Sequence, residues 1–71
     1  MTWNYVRNGF VIAHRLLRED EGRWALEVVD FDGFARTEHF DDEPGALRRQ
    51  MALERALILR GWGLETFSRA A

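Results

Sequence analysis

The sequence predicts an α+β fold, in which a four-stranded antiparallel meander is followed by one α-helix packed on the sheet. Asn-Gly at positions 8–9 and Asp-Gly at 32–33 separate runs of β-prone residues, and such pairs are strong hairpin signals because they tolerate positive φ. The run Asp-Asp-Glu-Pro at 41–44 is typical of a helix start, since the acids can cap the helix and Pro suits its first turn. A chain of 71 residues makes one domain.

These signals set the expected elements. Strands are expected over residues 2–7, 10–18, 23–31 and 34–40, with a polar turn at 19–22. The helix is expected over residues 44–60, because Gly61 is placed to terminate it. Residues 64–68 either add a short fifth strand or pack as a tail.

Both faces of the predicted sheet carry apolar side chains, because side chains alternate across each strand. We favour the register whose core set is Phe10, Ile12, Leu16, Trp24, Leu26 and Val28. The other face then keeps a milder set: Val11, Ala13, Leu17, Ala25 and Val29. One helix covers only one face. The second face is therefore an ordinary half-apolar surface, the interface of a two-fold homodimer, or a stacking platform for nucleic-acid bases.

Charge is unevenly distributed along the chain although the net charge is only −2. Ten acidic residues lie between positions 19 and 43 against two arginines, and five arginines follow against two acids. We define the acidic rim as the six acids of two expected loops: Glu19, Asp20, Glu21, Asp41, Asp42 and Glu43. The acidic rim is the predicted contact with a basic surface on a partner protein.

The helix has an apolar arc that predicts its packed side: Ala46, Leu47, Met51, Leu53, Leu57 and Ile58. Gln50 and Glu54 fall within this arc, and Glu54 either reaches water at the core rim or pairs with Arg15 or His14. Arginines occupy the rest of the helix surface: Arg48, Arg49, Arg55 and Arg60. They form either a solvated face or a basic ridge for phosphate or an acidic partner, although a pI near 5.6 argues against strong nucleic-acid binding.

Several chemistries lack the residues they need. The chain has no Cys, which excludes disulfides and thiol catalysis and favours a reducing cytoplasm. The two histidines, His14 and His39, match no metal-ligand spacing, so we expect no catalytic, metal or cofactor residues. We expect His14 to be packed and hydrogen-bonded, and an enzyme would need a cleft at a dimer interface lined by one of the histidines. We expect no signal peptide or membrane span, because apolar runs reach only four residues.

Two resemblances concern the layout of the chain. Four strands followed by a helix is similar to the layout of PUR-type repeats, which bind single-stranded nucleic acid as dimers. The segment from Trp24 to Gly33 with its following helix resembles HicB-type antitoxins, through Asp30, Asp32 and Gly33. Neither resemblance assigns a functional residue to this chain.

These observations predict a non-catalytic protein-binding module, a homodimer, that acts as an inhibitor or adaptor through its acidic loops. Small phage or mobile-element inhibitors of host defence offer an analogy of size and character. One alternative is a single-stranded nucleic-acid-binding protein that uses the helix arginines and an aromatic sheet face. A second alternative is an antitoxin-type regulator.

Overall fold

A computed structural model describes residues 1–69 and confirms the α+β class. Its strands are β1 (Thr2–Arg7), β2 (Phe10–Arg18), β3 (Trp24–Val29), β4 (Ala35–Phe40) and β5 (Gly63–Ser68). The helix α1 (Glu43–Leu59) lies between β4 and β5 in the chain. All neighbouring strands are antiparallel, in the order β4-β3-β2-β1-β5, so the C-terminal segment forms the fifth strand and pairs with β1.

The turns follow the predicted signals with one difference. Asn8 and Gly9 both have positive φ, 51° and 81°, as a tight two-residue hairpin turn requires. The turn that contains Asp32-Gly33, the third of the meander, is longer than predicted, and β3 ends two residues earlier than predicted, at Val29. The N–H of Asp30 donates to the carbonyl of Phe34 at 2.9 Å, and the N–H of Gly33 donates to the carbonyl of Asp30 at 2.9 Å. Residues 30–34 therefore form a closed loop between β3 and β4.

The favoured register is confirmed by the pairing of β2 with β3. His14 lies opposite Val28, Leu16 opposite Leu26, and Arg18 opposite Trp24. The buried core lies between this face and the helix, and its apolar members include Trp3, Tyr5, Ile12, Leu16, Leu26, Val28 and Ala46. Phe10 was expected in the core and is instead exposed, because it begins β2 directly after the turn, at the margin of the packed face.

Both ends of α1 have the capping groups that the sequence predicts. Asp42 is the N-cap, and its carboxylate accepts the backbone N–H of Gly45 at 2.8 Å. At the C-terminus Gly61 has φ 89° and donates its N–H to Ile58, while Trp62 donates to the carbonyl of Leu57, both at 3.0 Å. This is the Schellman pattern, so Gly61 ends the helix and Trp62 folds back toward its last turn.

The packed side of α1 is narrower than the predicted arc. Ala46 and Gln50 are buried and Leu53 and Leu57 are partly buried, whereas Met51 and Ile58 are exposed. The helix contacts β2, β3 and β4. Met51 and Ile58 lie at the edge of the arc, where the sheet does not cover the helix. Within residues 1–69, no helix is both long and apolar enough to cross a membrane.

Candidate binding surfaces

The strand order places both loops of the acidic rim at one end of the sheet. Arg18, Trp24 and Phe40 are aligned across β2, β3 and β4, so residues 19–23 and 41–43 leave the sheet at the same end. An open depression of ≈ 490 Å³ lies there, lined by Glu19, Asp20, Glu21, Arg23 and His39. The two loops therefore share one end of the sheet although about twenty positions separate them, but only Glu19, Asp20 and Glu21 line this depression. Glu43 lines another, with Met1, Leu47 and Arg69.

Two of the six rim carboxylates already have a role within the protein. Glu19 lies 2.8 Å from Nδ1 of His39, and Asp42 caps the helix. The other four, Asp20, Glu21, Asp41 and Glu43, make no ion pair within the described part of the chain. These four carboxylates are the part of the rim that a partner can engage without breaking an existing contact.

The four helix arginines do not act as one group. Nε of Arg49 donates to both carboxylate oxygens of Glu38, at 3.0 and 3.3 Å, and so ties the helix to β4. Arg60 follows the last helical turn and lies at the end of the molecule opposite the acidic rim. Arg48 and Arg55, seven residues apart, share an exposed side of the helix.

The sheet face opposite the helix, which we call the open face, carries a mixture of apolar and polar side chains that includes the imidazole of His39, opposite Ala25. Val11 and Leu17 are exposed on it, Ala25 is buried, and the pair Arg15–Glu27 crosses it with 3.1 Å between nitrogen and oxygen. The Phe, Tyr and Trp rings of the strands lie on the helix side, because Trp3, Tyr5, Trp24 and Phe40 share the parity of the core residues. A base-stacking platform on the open face would have no Phe, Tyr or Trp ring from the strands and would depend on the imidazole of His39.

Three exposed phenylalanines and the half-buried Trp62 gather at the end opposite the acidic rim, whereas the exposed Phe67 packs against Trp3. The Phe10 and Phe31 ring centroids lie 5.7 Å apart, and the Phe31 and Trp62 centroids lie 6.4 Å apart. Phe34 lies on the same loop as Phe31 and is more exposed than Phe10, Phe31 or Trp62. We define the aromatic end as Phe10, Phe31, Phe34 and Trp62.

Three arginines belong to the same end of the molecule. Arg7 pairs with Phe10 across the first hairpin, and its side chain lies beside Gly61, where a Cβ would be 3.4 Å from its Nε. Arg36 comes from β4 and Arg60 from the end of α1, and both line a cavity that also reaches Trp62. None of the three forms an ion pair with the described residues.

The aromatic end was not among the predicted sites, although the sequence contains a signal for it. In a meander, the first and third turns lie at one end of the sheet, and a helix returning from the last strand finishes at that end too. An aromatic residue directly follows Gly9, Gly33 and Gly61. Combining these two facts would have placed Phe10, Phe34 and Trp62 together.

A cavity of ≈ 300 Å³ lies between the C-terminal half of α1 and the sheet. Its apolar lining includes Ile12, Val28, Leu53 and Leu57, and its polar lining is His14, Asp30, Arg36 and Arg60. Phe31 and Trp62 connect it to the aromatic end. It is smaller than the depression at the acidic rim but more enclosed.

Beside this cavity the core contains a buried polar cluster. Nε2 of Gln50 donates to the hydroxyl of Tyr5 at 2.7 Å and lies 3.4 Å from Nδ1 of His14. Burial, with a smaller contribution from the charge of Arg36, lowers the pKa of His14 to about 4. Burial and the nearby Glu54 carboxylate raise the pKa of Tyr5 above its usual range. His14 is thus packed and hydrogen-bonded, as predicted.

Glu54 reaches a different partner from the two that were considered. It lies partly exposed at the rim of the core, close enough to Tyr5 for its charge to raise the pKa of the Tyr5 hydroxyl, and it forms no ion pair with Arg15 or His14. Arg15 is already paired with Glu27 on the open face. No cluster of three or more metal-ligating side chains is present between residues 1 and 69.

Comparison with known proteins adds no further constraint on these surfaces. No protein-family model, curated protein or solved structure matches the chain. The surfaces themselves therefore carry the functional argument.

Proposed function

We propose that this protein is a small non-catalytic protein-binding module and that the aromatic end is its main contact surface. One observation carries the proposal: Phe10, Phe31 and Phe34 are 57%, 56% and 69% exposed in one place, beside Trp62. Clustered apolar groups of this kind mark interaction sites on small soluble domains. Aromatic and arginine side chains are also the residues that dominate binding energy at protein interfaces.

The charges around the rings favour a partner segment with both apolar and acidic side chains. Arg7, Arg36 and Arg60 present guanidinium groups that can each hold a carboxylate through two hydrogen bonds. The two carboxylates at this end already accept backbone hydrogen bonds within their own loop. Asp30 accepts the N–H of Phe31, and Asp32 accepts the N–H of Phe34, both at 2.9 Å.

The acidic rim supplies a second contact in this proposal. Its four unpaired carboxylates produce a negative field that steers encounters with a basic surface and raises the association rate. An inhibitor or adaptor that covers a nucleic-acid-binding site would use such a surface, in a cytoplasmic setting. Small phage or mobile-element inhibitors of host defence remain the analogy for this role.

The experiment is site-specific photo-crosslinking in cells that naturally contain the protein. A photo-reactive residue at position 34 is compared with one at position 37, since Thr37 is exposed on the open face. We expect one discrete protein adduct from position 34, lost when Phe31→Ser is added and kept when Met51→Ser is added. A ladder of adducts, or the same adduct from position 37, would contradict the proposal.

Single-stranded nucleic acid is the second candidate, and the same end of the molecule favours it. Exposed rings next to arginines are the usual means of stacking bases and holding their phosphates. Quenching of tryptophan fluorescence by short single strands, at low salt and then at high salt, tests it. Quenching that disappears with Phe31→Ser and weakens steeply with salt would favour nucleic acid over protein. If one surface binds protein and the other nucleic acid, the role is that of an antitoxin-type regulator.

A homodimer is part of the same proposal. The open face is its expected interface, because Val11 and Leu17 are exposed there while the helix covers the other face. A dimer of this kind leaves the aromatic end and the acidic rim of both copies free for partners.

A further inference from the structure

We infer that the cavity between α1 and the sheet is a binding site for a small organic carboxylate with an apolar body. The cavity measures ≈ 300 Å³, at the lower limit of pockets that hold small molecules, which begin at roughly 300 Å³. Its walls come from α1, β2, β3 and β4, so packed elements and not only loops define its shape. This site shares Phe31, Trp62, Arg36 and Arg60 with the proposed protein contact surface, but binding of a small molecule there does not require that a protein partner exists.

The inner wall carries a hydrogen-bond donor without a partner. His14 is only 1% exposed and lines the cavity. Gln50 donates toward Nδ1, which makes Nδ1 the acceptor and leaves the proton of the neutral ring on Nε2. Nε2 has no hydrogen-bond partner within residues 1–69. No buried side-chain nitrogen or oxygen of the described residues lacks a partner, so this atom is open to the cavity, where a ligand oxygen can accept its proton.

The charges that line the cavity select an anion with a single charge. Arg36 and Arg60 contribute two positive charges, and Asp30 contributes one negative charge whose Oδ1 already accepts the N–H of Phe31. The lining therefore has a net charge of +1. A carboxylate matches this charge and the planar guanidinium fork, whereas a doubly charged phosphate would leave one charge uncompensated among apolar walls.

The other walls of the cavity are apolar, so a molecule that fills it must have an apolar body. Ile12, Val28, Leu53 and Leu57 surround the space with aliphatic groups, and Trp62 closes one side with a ring. Burial of apolar ligand surface there contributes roughly 25 cal/mol per Å². The carboxylate would bond to the two arginines and His14, and the body would pack against the aliphatic walls.

The test is an amide chemical-shift titration of the whole chain at pH 7 with phenylacetate, phenylacetamide and inorganic phosphate. We expect saturable shifts with phenylacetate at Val28, Arg36, Leu57 and Trp62. Phenylacetamide has the same shape without the charge, and it should bind about tenfold more weakly because it loses charge-assisted hydrogen bonds. Arg36→Gln should weaken phenylacetate binding about tenfold for the same reason.

Arg55→Gln is the matched control, because Arg55 is an exposed helix arginine outside this cavity. It should bind phenylacetate as the unmodified protein does. Equal affinity for phenylacetate and phenylacetamide would overturn the inference, as would equal loss in the Arg36 and Arg55 variants. Tighter binding of phosphate than of phenylacetate, or phenylacetate shifts confined to the acidic rim, would overturn it as well.

Discussion

His14 is a buried imidazole whose neutral form is part of the fold. Gln50 bridges it to Tyr5, so one amide from the helix serves two side chains of the sheet. Arg36 lies close enough to disfavour a second positive charge, and burial disfavours it more. Protonation of this ring therefore acts against folding.

Acid should destabilise the protein through His14. Its pKa is about 4 in the folded chain and about 6.5 when unfolded, so between these values the unfolded chain binds more protons. This destabilisation is absent above pH 6.5, grows as the pH falls and is complete below pH 4. The free energy of unfolding is then lower by about 3 kcal/mol. Denaturant unfolding between pH 7 and pH 4 measures it. His14→Gln should flatten this part of the profile.

His39→Gln serves as the matched control, since His39 is exposed and its ring pairs with Glu19 at the surface. Carboxylates are also protonated as the pH approaches 4, and this lowers the stability of both variants. The difference between the two acid profiles therefore reports His14 alone. Identical acid profiles for the His14 and His39 variants would rule out this account.

At the scale of single elements, α1 depends on Asp42 for its start. The carboxylate satisfies the N–H of Gly45, one of the backbone donors left free in the first helical turn. Asp42→Ala should lower the free energy of unfolding by about 1 kcal/mol. Asp41→Ala removes the same charge without a cap and should change it by less than about 0.5 kcal/mol. Equal effects in urea unfolding would refute the capping role.

This distinction also decides how the acidic rim is tested. Asp42 belongs to the rim in sequence and position, yet its removal weakens the helix as well as any contact. Charge removal at Asp20, Glu21 and Asp41 changes the rim without touching the cap or the pair of Glu19 with His39. A binding defect in that triple variant would therefore report the surface and not the fold.

The sequence was sufficient for the elements and insufficient for the sites, for identifiable physical reasons. Turn and cap residues act locally, so Asn8, Asp42 and Gly61 placed the hairpin and both helix ends to within a residue or two. The acidic rim was predicted from the charges of two loops, and its role as a contact stays a prediction. The cavity could not be predicted, because it depends on how far α1 stands from β2 and β4, and that spacing is set by packing. The same applies to Arg49, whose pairing with Glu38 requires the helix to cross β4 at one particular place.

At the scale of the whole molecule, the two ends differ in character. The nine residues of β2 span roughly 30 Å at about 3.3 Å per residue, which separates the acidic rim from the aromatic end. One end carries unpaired carboxylates, and the other carries aromatic rings with Arg7, Arg36 and Arg60. Two kinds of self-association are open to such a molecule: a two-fold dimer through the open face and a head-to-tail contact between opposite charges.

Solution mass at low and high salt distinguishes these arrangements. The chain is 8.3 kDa, and we expect about twice that mass at both salt concentrations, because an apolar interface through the open face is not screened by ions. Leu17→Arg places a charge in this interface and should give monomers. Met51→Arg adds the same charge on the exposed flank of the helix and should leave the dimer intact. A mass that falls as salt rises would instead indicate head-to-tail association, and a monomer under both conditions would leave the open face to another protein.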